Sequence, residues 1–321
     1  MSSLSRLASA PVHALTRQPI LDAIFAALPT AEDPLSATNQ SANGDGDTRM
    51  QTQGFQQMLP EPDISFFDAV PTQLLPGDRR SILTVQQVTA ERLGRYAYLE
   101  IGSYLGGSLQ PHLLDDRCVA LYSIDPRPQA QPDERGEDFQ YQDVTTQHML
   151  DALAPAYGAA LGKLTCFERG AADIKPEEIP IRPQLCLIDG EHTDRAVVSD
   201  FRACLRLASR PCVIMFDDAH IVYHGFAACI RDLEAPREVH RAYVLPNRIG
   251  VIELGELNFY REPAIFDRIA RPDAFLYATN ELDYYRHLVM TVKDSPAFRL
   301  ARRVKNALTH RRGVIASERS H

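Results

Sequence analysis

The sequence predicts an α/β protein built on a doubly wound, mostly parallel seven-stranded sheet that ends in an antiparallel hairpin. Short apolar runs alternate with longer segments of helical periodicity between about residues 95 and 254. Pro246 and Asn247 then separate two further apolar runs, which is typical of a hairpin. A glycine-rich segment follows the first run, at the position where open α/β sheets bind ligands.

Each element follows from its own pattern. The predicted parallel strands are short, apolar runs: Ala97–Ile101, Val119–Ile124, Leu164–Phe167, Leu185–Ile188 and Val213–Phe216. Apolar residues at helical spacing predict a helix after the fourth strand, with Val197, Phe201, Cys204, Leu205 and Ala208, and another after the fifth, with Val222, Phe226, Ile230 and Leu233. The predicted hairpin strands are Val239–Leu245 and Gly250–Leu254.

The chain divides into three predicted parts. Residues 1–57 form an N-terminal extension with a short helix and a flexible polar linker. Residues 58–255 form the α/β domain, and residues 256–321 form a C-terminal appendage with a basic amphipathic helix. Two interpretations of that basic helix stay open: contact with an anionic membrane surface or partner, and packing on the acidic body.

Composition excludes several classes of protein. The 34 Lys and Arg against 42 Asp and Glu give a net charge of −8, which argues against nucleic acid as a partner. No apolar run approaches the roughly 20 residues of a transmembrane helix. The six cysteines form no Cys-x-x-Cys pair and lie in apolar surroundings, so we expect reduced thiols and a cytoplasmic location. A homo-oligomer is left open.

The glycine-rich segment that runs from Gly102 to Ser108 predicts a ligand site. Glycines let the backbone turn sharply and approach a ligand, and the helix that follows offers unpaired N–H donors. A dinucleotide fingerprint would need glycine at position 104, where this chain has Tyr104, so NAD is disfavoured. Asp125, at the end of the second strand, is placed to accept hydrogen bonds from ribose hydroxyls beside the loop.

These motifs resemble a known family. The pattern Glu-x-Gly-x-x-x-Gly-x-Ser at 100–108, followed by Ser-Ile-Asp-Pro at 123–126, resembles class I S-adenosylmethionine-dependent methyltransferases. The segments at 187–192 and 214–219 are similar to those of the metal-dependent sugar O-methyltransferases of macrolide and aminocoumarin biosynthesis. The resemblance implies S-adenosylmethionine as cofactor. The residues expected to contact it are Glu100, Gly102, Ser103, Gly106, Gly107, Ser108, Asp125 and, by a looser match, Asp173.

Three carboxylates are expected to converge beside this site. Asp189 ends the fourth strand, and Asp217 and Asp218 end the fifth, at the same edge of the sheet as the loop. Unpaired carboxylates in a crevice repel one another unless a cation lies among them. Oxygen ligands favour Mg²⁺ or Mn²⁺, which would activate a bound hydroxyl. A purely structural role as helix cap or backbone acceptor is the alternative.

His192, three residues after Asp189, is the candidate general base. His220 and His224 are rivals for that role or for metal binding, and the expected acceptor is a sugar hydroxyl on a small molecule or glycan. The polar excursion at 127–142 and the aromatic residues between 259 and 285 are candidates for the acceptor pocket. The alternatives are a hydroxylase-associated protein that retains the fold and a non-catalytic binding protein.

Overall fold

A computed structural model describes residues 61–300 of the chain, except 128, 129, 137, 142, 143, 235, 247, 272–278, 281, 282, 285, 289, 290, 294 and 299. The predicted N-terminal helix and linker lie outside the described residues. Residues 301–321, which hold most of the predicted basic helix, lie outside them as well.

The described residues contain nine strands: β1 (Tyr96–Ile101), β2 (Cys118–Ile124), β3 (Ala130–Pro132), β4 (Asp138–Gln140), β5 (Leu164–Phe167), β6 (Leu185–Ile188), β7 (Cys212–Phe216), β8 (His240–Leu245) and β9 (Ile249–Leu254). Seven of them form one sheet in the order β5-β2-β1-β6-β7-β9-β8. The neighbours β5, β2, β1, β6 and β7 are parallel, and β9 runs antiparallel to both β7 and β8. The predicted fold class is confirmed.

Helices cover both faces of the sheet. They are α1 (Pro76–Leu93), α2 (Gln110–Leu114), α3 (Thr146–Tyr157), α4 (Asp194–Leu207), α5 (Tyr223–Glu234) and α6 (Pro263–Phe266), with short 3₁₀ turns between them. Helices α4 and α5 pack on one hydrophobic core, and α1 and α3 pack on the other. The two predicted helices after the fourth and fifth strands correspond to α4 and α5, whereas α1 was not anticipated.

Two features modify the expected organisation. The polar excursion contains β3 and β4, which pair with each other as a separate antiparallel hairpin. Beyond position 255, Phe259, Tyr260 and Ile265 are buried in the same core as the sheet. The first residues of the predicted C-terminal appendage therefore pack as part of the α/β domain. No helix of the described residues is long and apolar enough to cross a bilayer.

The topology determines where the site lies. Because β1, β2, β6 and β7 run parallel, their carboxyl ends meet at one edge of the sheet. Gly102, Asp125, Asp189 and Asp217 each directly follow one of these strands. All six cysteines are free thiols, five of them buried, as expected for reduced core residues.

Candidate active site

Gly102 allows the end of β1 to touch the end of β6. Its φ of +90° is one that other residues rarely adopt, and a Cβ there would lie 2.1 Å from the Asp189 carbonyl oxygen. The loop glycine therefore brings the cofactor loop and the first acid of the cluster into direct contact.

Gly106 and Gly107 serve close packing of the same loop. A Cβ on Gly106 would lie 2.7 Å from the side chain of Leu153 on α3, and one on Gly107 would lie 2.5 Å from Thr72. Gly107 also lines the cavity described below, whereas Gly106 does not. Gly106 thus has a packing role, and its contact with a cofactor stays a prediction.

Glu100 is bonded to the glycine loop inside the protein core. Its side chain is fully buried, and it accepts hydrogen bonds from Ser108 Oγ and from Tyr98 OH, each at 2.6 Å. Burial raises the pKa of this carboxyl to about 7, against the opposing effect of the two hydroxyl donors. Because each carboxylate oxygen already accepts a hydroxyl inside the protein, Glu100 supports the loop, and its direct contact with a cofactor stays a prediction.

Asp125 ends β2 and faces the loop, as the sequence predicts. Its Oδ2 accepts the Tyr104 backbone N–H at 3.0 Å and the Arg127 Nε–H at 3.0 Å. Tyr104 adopts a positive φ of 45°, a backbone conformation that is uncommon for residues other than glycine. The buried Arg127 guanidinium, which the sequence did not single out, balances the charge of Asp125.

Two adjacent cavities open at this edge of the sheet. The first, of about 630 Å³, is lined by the predicted cofactor residues Gly102, Ser103, Gly107, Ser108 and Asp125, and also by Asp189 and His192. The second, of about 890 Å³, shares four lining residues with the first: Gly102, Asp125, Gln131 and Gly190. Together they form a continuous path past Asp125.

The second cavity extends toward the loop after β5 and toward α4. Gly170 and Ala171 line it, but the predicted adenine residue Asp173 is exposed and lies outside the lining. Asp200 on α4 lines it too, and burial together with the charge of Glu191 raises the pKa of Asp200 to about 7. Sequence reasoning missed Asp200, since an acid on a helix face gives no motif.

Beside the first cavity, Asp189, His192 and Asp217 each place one ligand-type atom within 4.8 Å of the others. His192 Nε2 lies 3.5 Å from Asp189 Oδ1, and His192 Nδ1 lies 3.9 Å from Asp218 Oδ2. The pairing of β6 with β7 brings Asp217 next to Asp189 and His192, which lie at least 25 residues earlier in the sequence. The cluster is therefore a product of the parallel pairing.

Asp218 forms an ion pair with Arg248. Arg248, in the turn between β8 and β9, places Nη1 2.6 Å from Asp218 Oδ1 and Nη2 2.9 Å from Asp78 Oδ2. Asp78 lies in the first turn of α1 and is fully buried. The expected metal set of Asp189, Asp217 and Asp218 thus differs from the observed grouping, in which His192 replaces Asp218.

Burial and the charges of the cluster together shift the pKa values of its members. For Asp217, burial is the largest cause of a strongly raised pKa, followed by the negative charges of Asp189 and Asp218. Burial also raises the pKa of Asp189, although His192 opposes it. For His192, burial alone would lower the pKa, but the hydrogen bond and charge of Asp189 outweigh it and the pKa is raised.

These residues fit a divalent cation. Asp217 Oδ1 is buried and has no hydrogen-bond partner among the described residues, which is costly unless another group binds it. Two carboxylates and an imidazole within 4.8 Å of one another are a chemically suitable set of ligands. The carboxylates of the set suit Mg²⁺ or Mn²⁺, whereas its imidazole also suits Fe²⁺ or Zn²⁺.

The two rival histidines are separated by the fold. His220 Nδ1 lies 3.8 Å from Asp218 Oδ1, and burial lowers the pKa of His220 to about 4. His224 lies on α5, stacks on Tyr223 at 4.1 Å and lines a different cavity. Because His220 precedes the start of α5, the two do not share a helix face.

Among the described residues, the aromatic side chains that line the first cavity come from the glycine loop and the polar excursion, and none comes from the C-terminal region. Tyr104 and Tyr141 pack edge to face with ring centroids 5.2 Å apart, beside Gln73 and Gln131. Of the C-terminal aromatic residues expected at the acceptor pocket, Tyr260 is buried in the core and Tyr284 is exposed. Phe275, Tyr277 and Tyr285 lie outside the described residues.

Comparison with known proteins agrees with this geometry. Residues 99–219 match the family model described as a methyltransferase domain. That range begins in β1, one residue before Glu100, and ends directly after Asp218. It therefore includes the glycine loop, Asp125 and the whole acid cluster. No curated protein matches the chain in sequence.

Several solved structures are similar to the chain. The calicheamicin methyltransferase CalS11 is 15% identical, with a TM-score of 0.43 over 67% of this chain and 100% of that one. The O-methyltransferase TomG from Streptomyces achromogenes, in complex with SAM, is 14% identical, with a TM-score of 0.40 over 62% and 93% of the two chains. MycE from the mycinamycin pathway, in complex with Mg, SAH and mycinamycin VI, is 12% identical, with a TM-score of 0.42 over 63% and 57%. At these scores we draw no argument about substrate or mechanism from them.

Proposed function

We propose that this protein is a class I, S-adenosylmethionine-dependent methyltransferase that methylates a hydroxyl group of a sugar, since residues 99–219 match a family model described as a methyltransferase domain. The observation that carries the proposal is that the glycine loop and the acid cluster line one cavity. Asp189 and His192 line the same cavity as the glycine loop and Asp125. A methyl donor held by the loop would therefore face the residues that can activate an acceptor.

In this proposal the cofactor spans both cavities. The loop residues Gly102, Ser103 and Ser108 border the first cavity and hold the methionine portion. Asp125, which borders both, accepts hydrogen bonds from the ribose. The adenine then occupies the second cavity, between Ala171 and the start of α4.

The sugar would bind in the remaining part of the first cavity. Tyr104 and Tyr141 present aromatic faces there, and Gln73 and Gln131 present amide groups. Aromatic surface combined with a few polar groups that fix orientation is typical of small-molecule sites. Such a lining suits a ring that carries hydroxyl groups.

His192 is the proposed general base. Asp189 Oδ1, 3.5 Å from Nε2, would hold the charged imidazole ring, and Nδ1 would accept the proton of the attacking hydroxyl. The hydroxyl oxygen bonds to the methyl carbon while the carbon–sulfur bond breaks, which yields a methyl ether and S-adenosylhomocysteine. Since only neutral imidazole accepts a proton, the raised pKa of His192 predicts a rate that falls as pH drops below that pKa.

Asp189 and Asp217 would hold a divalent cation, with His192 as either its third ligand or the base. When bound, the cation lowers the pKa of the acceptor hydroxyl and fixes its direction. The two roles of His192 make different predictions. A base can be removed without loss of metal affinity, whereas a ligand cannot.

The test uses the full chain with methyl-labelled S-adenosylmethionine and a panel of nucleotide-activated sugars and glycosylated metabolites. We expect methyl transfer to a sugar hydroxyl and a loss of about 10²–10⁴-fold in rate in His192→Ala. Unchanged affinities for S-adenosylhomocysteine and Mn²⁺ in that variant would assign the base role. Replacing exposed His148 with Ala is the matched control. Failure to bind S-adenosylhomocysteine would contradict the proposal and favour a non-catalytic protein.

A further inference from the structure

The loop that carries His192 is attached to the β3–β4 hairpin. The Glu134 backbone N–H donates to the His192 carbonyl at 2.9 Å, and Asp133 forms a β-bridge with His192. The Glu134 carboxylate accepts the Asp194 backbone N–H at 3.1 Å. Glu134 therefore contacts the chain on both sides of Thr193, the residue after His192.

The contact with Asp194 acts at the start of α4. Thr193 caps this helix by accepting the Ala196 N–H at 3.2 Å, and Asp194 is its first residue. The first N–H groups of a helix lack intrahelical partners, and a carboxylate there also interacts favourably with the helix dipole. Glu134 thus completes the N-terminus of α4 and fixes the backbone that leads into it from His192.

The hairpin alone is too small to hold Glu134 in place. Strands β3 and β4 have three residues each, and an isolated two-stranded hairpin is marginal in water. Within the turn, Asp133 accepts hydrogen bonds from Arg135. The position of Glu134 relative to the sheet must therefore depend on contacts outside the hairpin.

Those contacts come from the chain beyond the sheet. Arg286 Nη2 lies 2.7 Å from Glu134 Oε2, and Lys293 Nζ donates to the Gly136 carbonyl. The segment is joined to α5 because Tyr223 OH donates to Asp283 at 3.0 Å. The Arg286 and Glu134 side chains are only 38% and 18% exposed, so solvent screens their pairing incompletely.

We propose that Glu134 is a positioning residue for His192, and that Arg286 holds Glu134 in place from outside the methyltransferase domain. The proposal rests on the proposed function, in which His192 is the base. In this proposal the segment that contains Arg286 and Lys293 stabilises the active-site loop, since breaking the Glu134–Arg286 pair would loosen the loop that carries His192. Arg286 lines neither of the two cavities.

Amide hydrogen exchange of the full-length protein tests the proposal without an acceptor. We expect Arg286→Met to speed exchange of residues 190–196 by roughly twofold to fivefold, as expected for the loss of a partly exposed ion pair. Arg286→Lys should restore most of the protection, because it keeps the charge. Arg202→Met, which breaks the exposed Arg202–Asp232 pair on α4, is the matched control.

A second readout separates positioning from general stability. The imidazole ¹H–¹⁵N signals of His192, assigned with His192→Gln, should shift or broaden in Arg286→Met, while those of His148 stay unchanged. Unchanged exchange and unchanged His192 signals in Arg286→Met would overturn the proposal, as would equal changes in Arg202→Met. Neither measurement depends on catalysis. A fully active His192→Ala, or failure to find an acceptor, would therefore count against the proposed function without deciding whether Arg286 and Glu134 position the His192 loop.

Discussion

Asp217→Asn should stabilise the metal-free protein while removing its response to Mn²⁺. Asp217 and Asp189 have carboxylate oxygens no more than 4.8 Å apart, and two such charges repel by about 3 kcal/mol at an effective dielectric constant of about 20. Arg248 and proton uptake offset part of this repulsion. We therefore expect a net gain of about 1–2 kcal/mol, or roughly 2–6 °C in Tm for a domain of this size.

The pH dependence of that gain follows from the raised pKa of Asp217. The unfolded carboxyl ionises near its ordinary value, whereas the folded one retains its proton to higher pH. The destabilisation by Asp217 is thus absent in acid and grows as pH rises toward the folded pKa. The Tm difference between Asp217→Asn and the wild type should be larger at about pH 8 than at about pH 5.

Thermal unfolding with and without millimolar Mn²⁺ measures both effects. The wild type should gain stability with Mn²⁺, because a ligand that binds only the folded state raises Tm. Asp217→Asn should gain little, and Asp116→Asn, in an exposed turn, should behave as the wild type. A variant that is less stable than the wild type without metal, yet equally stabilised by Mn²⁺, would refute the reasoning.

Three further changes test other parts of the site. Gly102→Ala should unfold more easily by at least about 2 kcal/mol in denaturant titration, because its Cβ meets the Asp189 carbonyl at a positive φ. Asp125→Asn should weaken S-adenosylhomocysteine binding by roughly 10- to 100-fold in calorimetry, and unchanged affinity would remove Asp125 from the site. Since Asp200 has a pKa of about 7 against 3.8 unfolded, Asp200→Asn should gain stability over the wild type as pH rises from about 4 to 7, by at most about 4 kcal/mol.

Local patterns were sufficient for the main elements of the fold. The five parallel strands and the hairpin were predicted within one or two residues, because short apolar runs between turn signals have few other structures available. Helix α1 escaped prediction, since ten of its residues are buried, among them Asp78, Thr84 and Gln86, and its pattern lacks a clear polar face. The β3–β4 hairpin escaped prediction because its strands are only three residues long and its sequence is mostly polar.

The site was predicted in part. Strand ends placed Gly102, Asp125 and Asp189 at one edge, since parallel strands present their carboxyl ends together. The sequence also suggested Glu100 and Asp173 as cofactor contacts, yet the first is bonded inside the protein and the second is exposed. Motif position indicates which loop a residue belongs to, but it does not indicate which way the side chain points.

The sequence by itself determined the sheet, its switch to an antiparallel hairpin and the edge at which the ligand groups gather. Only the tertiary structure decided which of those groups are paired. Asp218 is bound by Arg248, whose other partner Asp78 lies 170 residues away in sequence, and Glu134 is bound by Arg286, 152 residues away. Charge compensation depends on which distant segments meet in space, whereas strand formation depends mainly on neighbouring residues, so only the second can be read from local sequence.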